Sequence, residues 1–498
     1  MPSRKAKSKT DDVRSTKSVL QVASEARPFA KTGGLADVLG ALPPALARLG
    51  WDATLVMPKY RGVDSGSLLE TIPISVGGFT RPAGFFEAPM PDGARAILVD
   101  CPELYDRDAL YNVGDADYAD NPRRFAFLVR AALEFAGRRA PAPSIVHAHD
   151  WQAGLAPVYL RSLYADHPVL AGTPSVFTIH NLAYQGLFEP DWLPRLDLGW
   201  DQFTTERLEY WGKISLLKGG INAADMITTV SPRYAREIQT PELGFGFDGV
   251  LRARHDRLVG ILNGIDVAEW DPTSDPFLPK PFDADDLEAK RVSKIEVLKR
   301  YGLPSTTEAT ARPLVGMVSR MVDQKGFDVI AAAASDLAKL DASFVVLGTG
   351  DTRYQDLWTR LAAEHPDRIG ARIGFDEAVA HLIEAGADLF LMPSRFEPCG
   401  LNQMYSLRYG TVPVVHAVGG LADTVTRKTG FVFEEYGAKA MLDCLAQALR
   451  AYRNPAKWRA LQRAGMAQDF SWDRSAKEYV KIYDRAMKSG AQSRGQRA

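Results

Sequence analysis

The sequence predicts an α/β protein built from two doubly wound parallel sheets. Short β-branched runs alternate with amphipathic helical stretches from Ser18 onward, which is the order of elements in doubly wound folds. Most of these runs are continuously apolar, as expected for strands buried on both faces of a parallel sheet. The runs are too many for one ordinary sheet, and their rhythm breaks in a proline-rich stretch between Asp271 and Pro313. We therefore expect two Rossmann-like domains that face each other across a cleft.

The predicted strands fall into two series. The first series comprises 19–24, 53–58, 96–100, 144–149, 175–180 and 226–231. The second series comprises 258–263, 314–319, 343–348, 387–393 and 412–417. Helical patterns such as 35–50 and 378–387 separate the strands, and the junction between the domains is expected near Asn263. The expected organisation is a disordered basic tail (1–17), a first domain (18–262), a second domain (263–470), a closing helix (471–488) that packs back on the first domain, and a disordered tail (489–498).

Composition excludes several classes of protein. Lys and Arg total 60 against 61 Asp and Glu, so the chain has no general affinity for nucleic acid or anionic lipid. No uninterrupted apolar stretch approaches the roughly 18–20 residues that span a bilayer, and the N-terminus lacks the apolar region of a secretory signal. Cys101, Cys399 and Cys444 form neither a CxxC pair nor a disulfide framework. This cysteine usage predicts a reducing compartment and a cytoplasmic location.

The first candidate site is a glycine-rich segment, 31–37, which follows the first strand and opens a helix. Gly33 and Gly34 permit close approach of an anion to the backbone, and Lys31 adds positive charge. An ordinary glycine turn is the alternative. The segment is not a Walker loop, and the single GxGxxG string, at 244–249, follows no apolar strand and is interpreted as a chance match.

Two further segments lie at predicted strand ends in the second half. Arg320 and Lys325 lie on a strand-to-helix turn, where two cations can meet a diphosphate, although a solvated basic turn would look the same. Glu397 lies between an aromatic residue and a proline, a costly place for a carboxylate that binds nothing. Gly400 opens the next helix, and Cys399 is interpreted as a packing residue because no base is suggested nearby.

The main rival interpretation is a metal-dependent hydrolase. His147 and His149 end one strand and His180 ends the next, which is how some metal sites begin. The remaining histidines, at 167, 255, 365, 381 and 416, lack the settings of further ligands, with His416 a possible exception. The strings 115–117 and 283–285 have the Asp-x-Asp pattern of metal-dependent glycosyltransferases, but neither follows an apolar strand. Both are interpreted as surface carboxylates.

Six segments in order resemble the bacterial glycogen synthase and plant starch synthase family. They are KTGGLADV, VHAHDWQAGLAPVYL, FTIHNLAYQG, ILNGID, SRMVDQKGFD and PSRFEPCGLNQMYSLRYGTVPVV, and the match extends from Ser18 to the closing FSWDRSAKEYVKIY. The resemblance implies the GT-B fold and a retaining glucosyltransferase that needs no metal or other cofactor. Its implied partners are ADP-glucose or UDP-glucose and the non-reducing end of an α-1,4-glucan such as glycogen. A transferase with another acceptor and a silent glucan-binding protein remain alternatives.

The resemblance also implies which residues form the site. The implied catalytic residues are His180, Glu397, Arg320 and Lys325. The implied substrate-binding residues are Lys31, Gly33, Gly34, Asp37, Asp150, Asn263, Phe375, Cys399, Gly400, Leu401 and Asn402. Two positions depart from the family's usual residues: Phe375 stands where a tyrosine often stacks on the base, and Asn402 stands where threonine is commoner. Phe375 keeps the stacking face, whereas Asn402 puts one phosphate contact in doubt.

Overall fold

The computed structural model describes residues 17–114 and 116–495, with side chains as far as residue 489. The strands in the first half are β1 (Ser18–Val22), β2 (Asp52–Pro58), β3 (Ser67–Val76), β4 (Phe79–Pro89), β5 (Arg95–Asp100), β6 (Asn112–Val113), β7 (Ala116–Asp117), β8 (Ile145–His149), β9 (Ser175–Ile179), β10 (Leu187–Phe188), β11 (Glu209–Tyr210), β12 (Lys213–Ser215), β13 (Met226–Thr229) and β14 (Leu258–Gly260). Nine of them form one sheet in the order β14-β13-β9-β8-β1-β2-β5-β4-β3. The strands from β14 to β5 in this order run parallel, and β4 and β3 continue the sheet antiparallel.

Helices cover this sheet and connect its parallel strands. They are α1 (Gly34–Arg48), α2 (Pro102–Tyr105), α3 (Asn121–Gly137), α4 (Asp150–Ala153), α5 (Leu155–Arg161), α6 (Trp192–Arg195), α7 (Leu216–Ala223), α8 (Pro232–Glu237) and α9 (Asp248–Ala253). The short strands pair outside the main sheet, β6 with β7 and β12 with both β10 and β11. The GxGxxG string spans the turn before α9 and the first two residues of that helix, and it does not follow a strand, which agrees with its interpretation as a chance match.

The second half forms a six-stranded, wholly parallel sheet. Its strands are β15 (Leu314–Val318), β16 (Ser343–Gly348), β17 (Ile369–Ile373), β18 (Leu389–Met392), β19 (Val412–His416) and β20 (Phe431–Phe433), in the order β17-β16-β15-β18-β19-β20. The helices of this half are α10 (Lys290–Arg300), α11 (Thr307–Ala311), α12 (Phe327–Leu337), α13 (Thr352–Glu364), α14 (Glu377–Gly386), α15 (Asn402–Arg408), α16 (Gly419–Thr424), α17 (Ala438–Tyr452), α18 (Pro455–Met466) and α19 (Trp472–Gly495). The two-domain α/β prediction is confirmed.

Every predicted strand forms, but the run 258–263 was grouped with the wrong series. It forms β14, which pairs with β13 at the edge of the first sheet, so its partners are in the first half of the chain. The last strand of the first sheet therefore ends at Gly260 and the first strand of the second begins at Leu314. The domain bounds 18–262 and 263–470 are compatible with this placement and stay predictions.

The C-terminal helix returns to the first domain, as predicted. Helix α19 packs against α1 and against β8, β9 and β13, and the Tyr483 hydroxyl lies 2.8 Å from His147 Nδ1. The helix backbone extends to Gly495, past the predicted end at residue 488. Of the predicted tails (1–17 and 489–498), residues 1–16 and 496–498 lie outside the described residues, as does Asp115. Among the described residues, no helix is both long enough and apolar enough to cross a membrane.

Candidate active site

A cavity of about 200 Å³ opens at the carboxyl ends of β15 and β18. This is where ligands bind in open α/β sheets. The lining residues are Met317, Val318, Ser319, Arg320, Lys325, Phe327, Ile330, Leu391, Met392, Pro393, Ser394, Gly400, Leu401 and Asn402. The fold thus brings together the two strand-end segments that the sequence singled out separately.

Lys325 and Glu397 form an ion pair beside this cavity. Lys325 lies at the end of a short 3₁₀ turn (Asp323–Lys325), and its Nζ donates to Glu397 Oε2 at 2.5 Å. The same oxygen accepts a hydrogen bond from Ser394 Oγ at 3.0 Å. The Glu397 side chain is only 7% exposed. The predicted need for a bonding partner at Glu397 is therefore met inside the protein, by a cation that also faces the cavity.

Arg320 supplies the second cation of the cavity. Its side chain is exposed, and its Nη2 donates weakly to Gln324 Oε1 at 3.3 Å, so the guanidinium stays available to an anion. Asn402 also lines the cavity, and its Nδ2 donates to the Val318 carbonyl at 2.7 Å. Asn402 thereby joins the start of α15 to the end of β15. Gly400 has φ +71°, and a Cβ there would lie 2.5 Å from Gln403 Oε1.

The glycine segment of the first domain is held by a buried carboxylate that the sequence analysis missed. Glu25 accepts hydrogen bonds from the Thr32 amide at 2.5 Å and from the Thr32 hydroxyl at 2.7 Å. The Tyr111 hydroxyl donates to the same carboxylate at 2.5 Å. Lys31 Nζ pairs with Asp37 Oδ1 at 2.7 Å. A Cβ placed on Gly33 or Gly34 would meet nothing within 4 Å, so the backbone here has one open face.

Three histidines and Asp150 cluster at the ends of β8 and β9. His149 Nδ1 lies 3.0 Å from His180 Nε2, and His147 is held by the hydroxyls of Thr178 and Tyr483 at 2.6 and 2.8 Å. Burial lowers the pKa of His180 to about 3 and holds the pKa of His147 and His149 well below the ordinary value. All three are therefore neutral near pH 7. Since hydroxyls occupy both ring nitrogens of His147, the HxH pair does not present the metal site of the rival interpretation.

Asp150 follows β8 with a positive φ of +55°. Its Oδ1 accepts a hydrogen bond from the His180 amide at 2.7 Å, which ties the two strand ends together. Burial raises the pKa of this carboxyl to about 7. His149 and Asp150 therefore both fix the position of His180; the sequence analysis placed Asp150 in the donor site but considered His149 only as a ligand of the rival metal site.

The remaining predicted residues lie in different settings. Asn263 is buried at the start of the segment between the two sheets, and its side-chain oxygen has no hydrogen-bond partner among the described residues. Cys399 is buried, and burial raises the pKa of its thiol to about 12, which agrees with a packing role. Phe375 is 83% exposed. Asp283 accepts the amides of Asp285 and Asp286 in an exposed turn, as a surface carboxylate does.

Only one group of side chains in the described part of the chain has the spacing of metal ligands. It consists of Glu269, Glu377 and His381, none of which lines the cavity.

Two doubly wound domains, a strand-end cavity with two cations and a glycine segment on the other domain define a glycosyltransferase of the GT-B class. The starch synthase catalytic domain family matches residues 18–253, and glycosyl transferases group 1 matches residues 304–464. A glycogen synthase of Koribacter versatilis is 49% identical over 93% of this chain and 97% of its own length. A glycogen synthase of Anaeromyxobacter dehalogenans is 50% identical over 93% of this chain and 98% of its own length. The chain belongs to the family of bacterial glycogen synthases and plant starch synthases.

Solved structures agree with this assignment. The catalytic domain of starch synthase IV from Arabidopsis thaliana, bound to ADP and acarbose, superposes with a TM-score of 0.87 at 32% identity, over 95% of this chain and 100% of that one. Sucrose-phosphate synthase from Thermosynechococcus elongatus superposes with a TM-score of 0.59 at 18% identity, over 94% of this chain and 98% of that one. It therefore shares the fold.

Proposed function

We propose that the protein is a glycogen synthase, which transfers glucose from ADP-glucose to the non-reducing end of an α-1,4-glucan with retention of configuration. The observation that carries the proposal is the meeting of Arg320 and Lys325 in one strand-end cavity, in a chain that shares half its residues with glycogen synthases over nearly its whole length. ADP rather than UDP is favoured because the starch synthase of known structure was solved with ADP. The three buried, unpaired cysteines suit a cytoplasmic location.

The second domain would hold the donor. Departure of the diphosphate develops negative charge on its oxygens, and Arg320 and Lys325 stabilise that charge from fixed positions. Glu397 binds hydroxyls of the donor sugar and holds Lys325 in place through their 2.5 Å contact. Backbone amides at Gly400 and Leu401 face the phosphates, and Asn402 holds the start of α15 against β15. The exposed ring of Phe375 stacks on the nucleotide base.

The first domain would present the acceptor and close over the donor. Lys31 and Gly34, with Gly33 and Asp37 in the same segment, approach the diphosphate and the sugar. His180 donates or accepts a hydrogen bond at the donor glucose as a neutral imidazole, and its backbone carbonyl faces the anomeric carbon.

Asp150 and Asn263 contact sugar hydroxyls. The resemblance assigns the backbone carbonyl of His180, rather than a carboxylate, to the side of the anomeric carbon where a covalent intermediate would form, so we favour attack from the same face.

A donor panel tests the proposal. ADP-glucose and UDP-glucose are supplied separately with glycogen, and nucleotide release and labelled glucan are both measured. Faster release from ADP-glucose, with glucose added to glycogen, is the expected result. Preference for UDP-glucose would correct the donor alone, whereas nucleotide release without glucan growth would indicate another acceptor.

A further inference from the structure

A buried histidine in the second domain has one ring nitrogen without a partner. His381 lies on α14, is 1% exposed, and forms a hydrogen bond between Nδ1 and Asp275 Oδ2 at 2.8 Å. Its Nε2 is buried and has no hydrogen-bond partner among the described residues. Buried polar atoms are rarely left in this state, so the nitrogen calls for an explanation.

Asp275 fixes which nitrogen of His381 carries the proton. Asp275 Oδ2 also accepts a hydrogen bond from the Tyr409 hydroxyl at 2.6 Å, and its Oδ1 accepts one from the Phe277 amide at 2.9 Å. Since both oxygens of Asp275 act as acceptors, Nδ1–H of His381 donates to this carboxylate, and the lone pair of the neutral ring lies on Nε2. A carboxylate that accepts a hydrogen bond from one ring nitrogen commonly orients a histidine whose other nitrogen binds a metal ion.

Two further carboxylates lie within reach of His381. One ring nitrogen of His381 and one oxygen each of Glu269 and Glu377 all lie within 4.8 Å of one another. Ligand atoms on a tetrahedral ion with bonds of about 2.0–2.2 Å are closer than this, so the side chains must close slightly. The Glu377 side chain is 51% exposed and can rotate to do so.

We propose that Glu269, Glu377 and His381 form a binding site for a divalent transition-metal ion such as Zn²⁺. One imidazole and two carboxylates suit Zn²⁺ and Co²⁺ better than Mg²⁺, which prefers oxygen ligands alone. The site is separate from the cavity that holds the two cations, and it is independent of the transferase reaction. Phe375, which we propose stacks on the nucleotide base, lies two residues before Glu377 in the sequence.

Arg27 of the first domain competes for the same carboxylates. Its Nη1 donates to both oxygens of Glu269, at 2.8 and 3.0 Å, and its Nη2 lies 3.7 Å from Glu377. A dication and a guanidinium repel each other, so the ion binds when Arg27 moves aside. Removal of the Arg27 charge should therefore strengthen metal binding, an effect that an unrelated surface site would not show.

The test titrates the full-length, tag-free, chelator-treated protein with Co²⁺ by visible absorption and with Zn²⁺ by calorimetry. We expect one saturable ion per chain with a histidine-ligated Co²⁺ spectrum. Glu377→Gln should weaken binding at least about tenfold, the lower end of the effect of lost ligand support. Arg27→Gln should tighten it at least about fivefold, because it removes a repulsion that is worth at least about 1 kcal/mol at about 4 Å even in water.

Glu364→Gln, which alters an exposed carboxylate at the end of α13, is the matched control and should leave affinity unchanged. Glu377 is itself exposed, so the result does not depend on a buried variant such as His381→Gln folding correctly. Failure of wild type to bind, equal affinity in Glu377→Gln and Glu364→Gln, or weaker binding in Arg27→Gln would each overturn the proposal.

Discussion

Replacing Glu397 with alanine is expected to slow the reaction and weaken the fold together. The carboxylate joins Lys325 at 2.5 Å and Ser394 at 3.0 Å, and the Lys325 side chain is 21% exposed. Glu397→Ala therefore leaves a mostly covered ammonium without its counter-ion and frees it from its position at the cavity. Glu397→Gln retains the hydrogen bond to Ser394 and removes only the charge.

The size of both effects follows from this geometry. Breaking a fully buried ion pair costs about 3–5 kcal/mol, and a hydrogen bond to a charged group contributes about 1.5–3 kcal/mol. Because Lys325 can still reach water, we expect Glu397→Ala to lower the free energy of unfolding by about 2–3 kcal/mol. Loss of one preorganised electrostatic contact should lower kcat by at least about 10²-fold. Glu397→Gln should keep a larger share of the wild-type stability than of the wild-type kcat.

The assay combines initial rates of ADP release onto glycogen with urea unfolding. Glu364→Ala serves as the control for loss of an exposed carboxylate. A double-mutant cycle with Lys325→Ala isolates the pair, and the double variant should lose less stability than the two single variants summed. A near-native kcat in Glu397→Ala would refute its place in the site, and additive stability losses would refute the energetic role of the ion pair.

Three other predictions concern the metal, the pH dependence and the closure of the cleft. Transferase activity should survive exhaustive EDTA treatment, and a loss that Mg²⁺ or Mn²⁺ restores would show that the two cations do not suffice. Burial raises the folded-state pKa of Asp150 from 3.8 to about 7. Between these pH values the carboxyl is protonated in the folded state and ionised in the unfolded state. The contribution of Asp150 to the free energy of unfolding is therefore fully present below about pH 4 and is lost as pH rises through about 7. Asp150→Asn should flatten that part of the urea-unfolding profile, and an unchanged slope would contradict it. ADP should make the protein contract in small-angle scattering, with less contraction in Arg320→Ala at matched ADP concentration, and bound nucleotide without any contraction would indicate a preformed site.

The sequence predicted most of the parallel strands because continuous apolar runs are a local signal, but it missed β17 and β20 at the two edges of the second sheet. It also missed β3 and β4, which form an antiparallel extension at the edge of the first sheet. From Thr71 to Val76, β3 alternates exposed and buried residues, so period-two patterning could have found it. Strand-end position selected Arg320, Lys325 and Glu397, and the structure brings all three together.

Long-range contacts explain what sequence reasoning missed. Glu25 was missed because its partners Thr32 and Tyr111 are fixed only by the folded chain. His381 was set aside because its local setting suggested no ligand role, and its neighbours in the fold, Glu269 and Asp275, lie more than 100 residues earlier. No local spacing rule relates residues that meet only across two elements of the fold.

The backbone passes between the two sheets at two adjacent points. The Ile265 amide donates to the Phe470 carbonyl at 2.9 Å, and a Cβ on Gly264 would lie 2.7 Å from the Trp472 nitrogen. Both described ends of the chain belong to the first domain, so the second domain is an insertion whose entrance and exit lie side by side. A short linker joining residue 262 to residue 471 would therefore close the first domain on itself with α19 still in place. The second domain is thus an inserted domain, and genetic engineering can separate it from the first without cutting through either sheet.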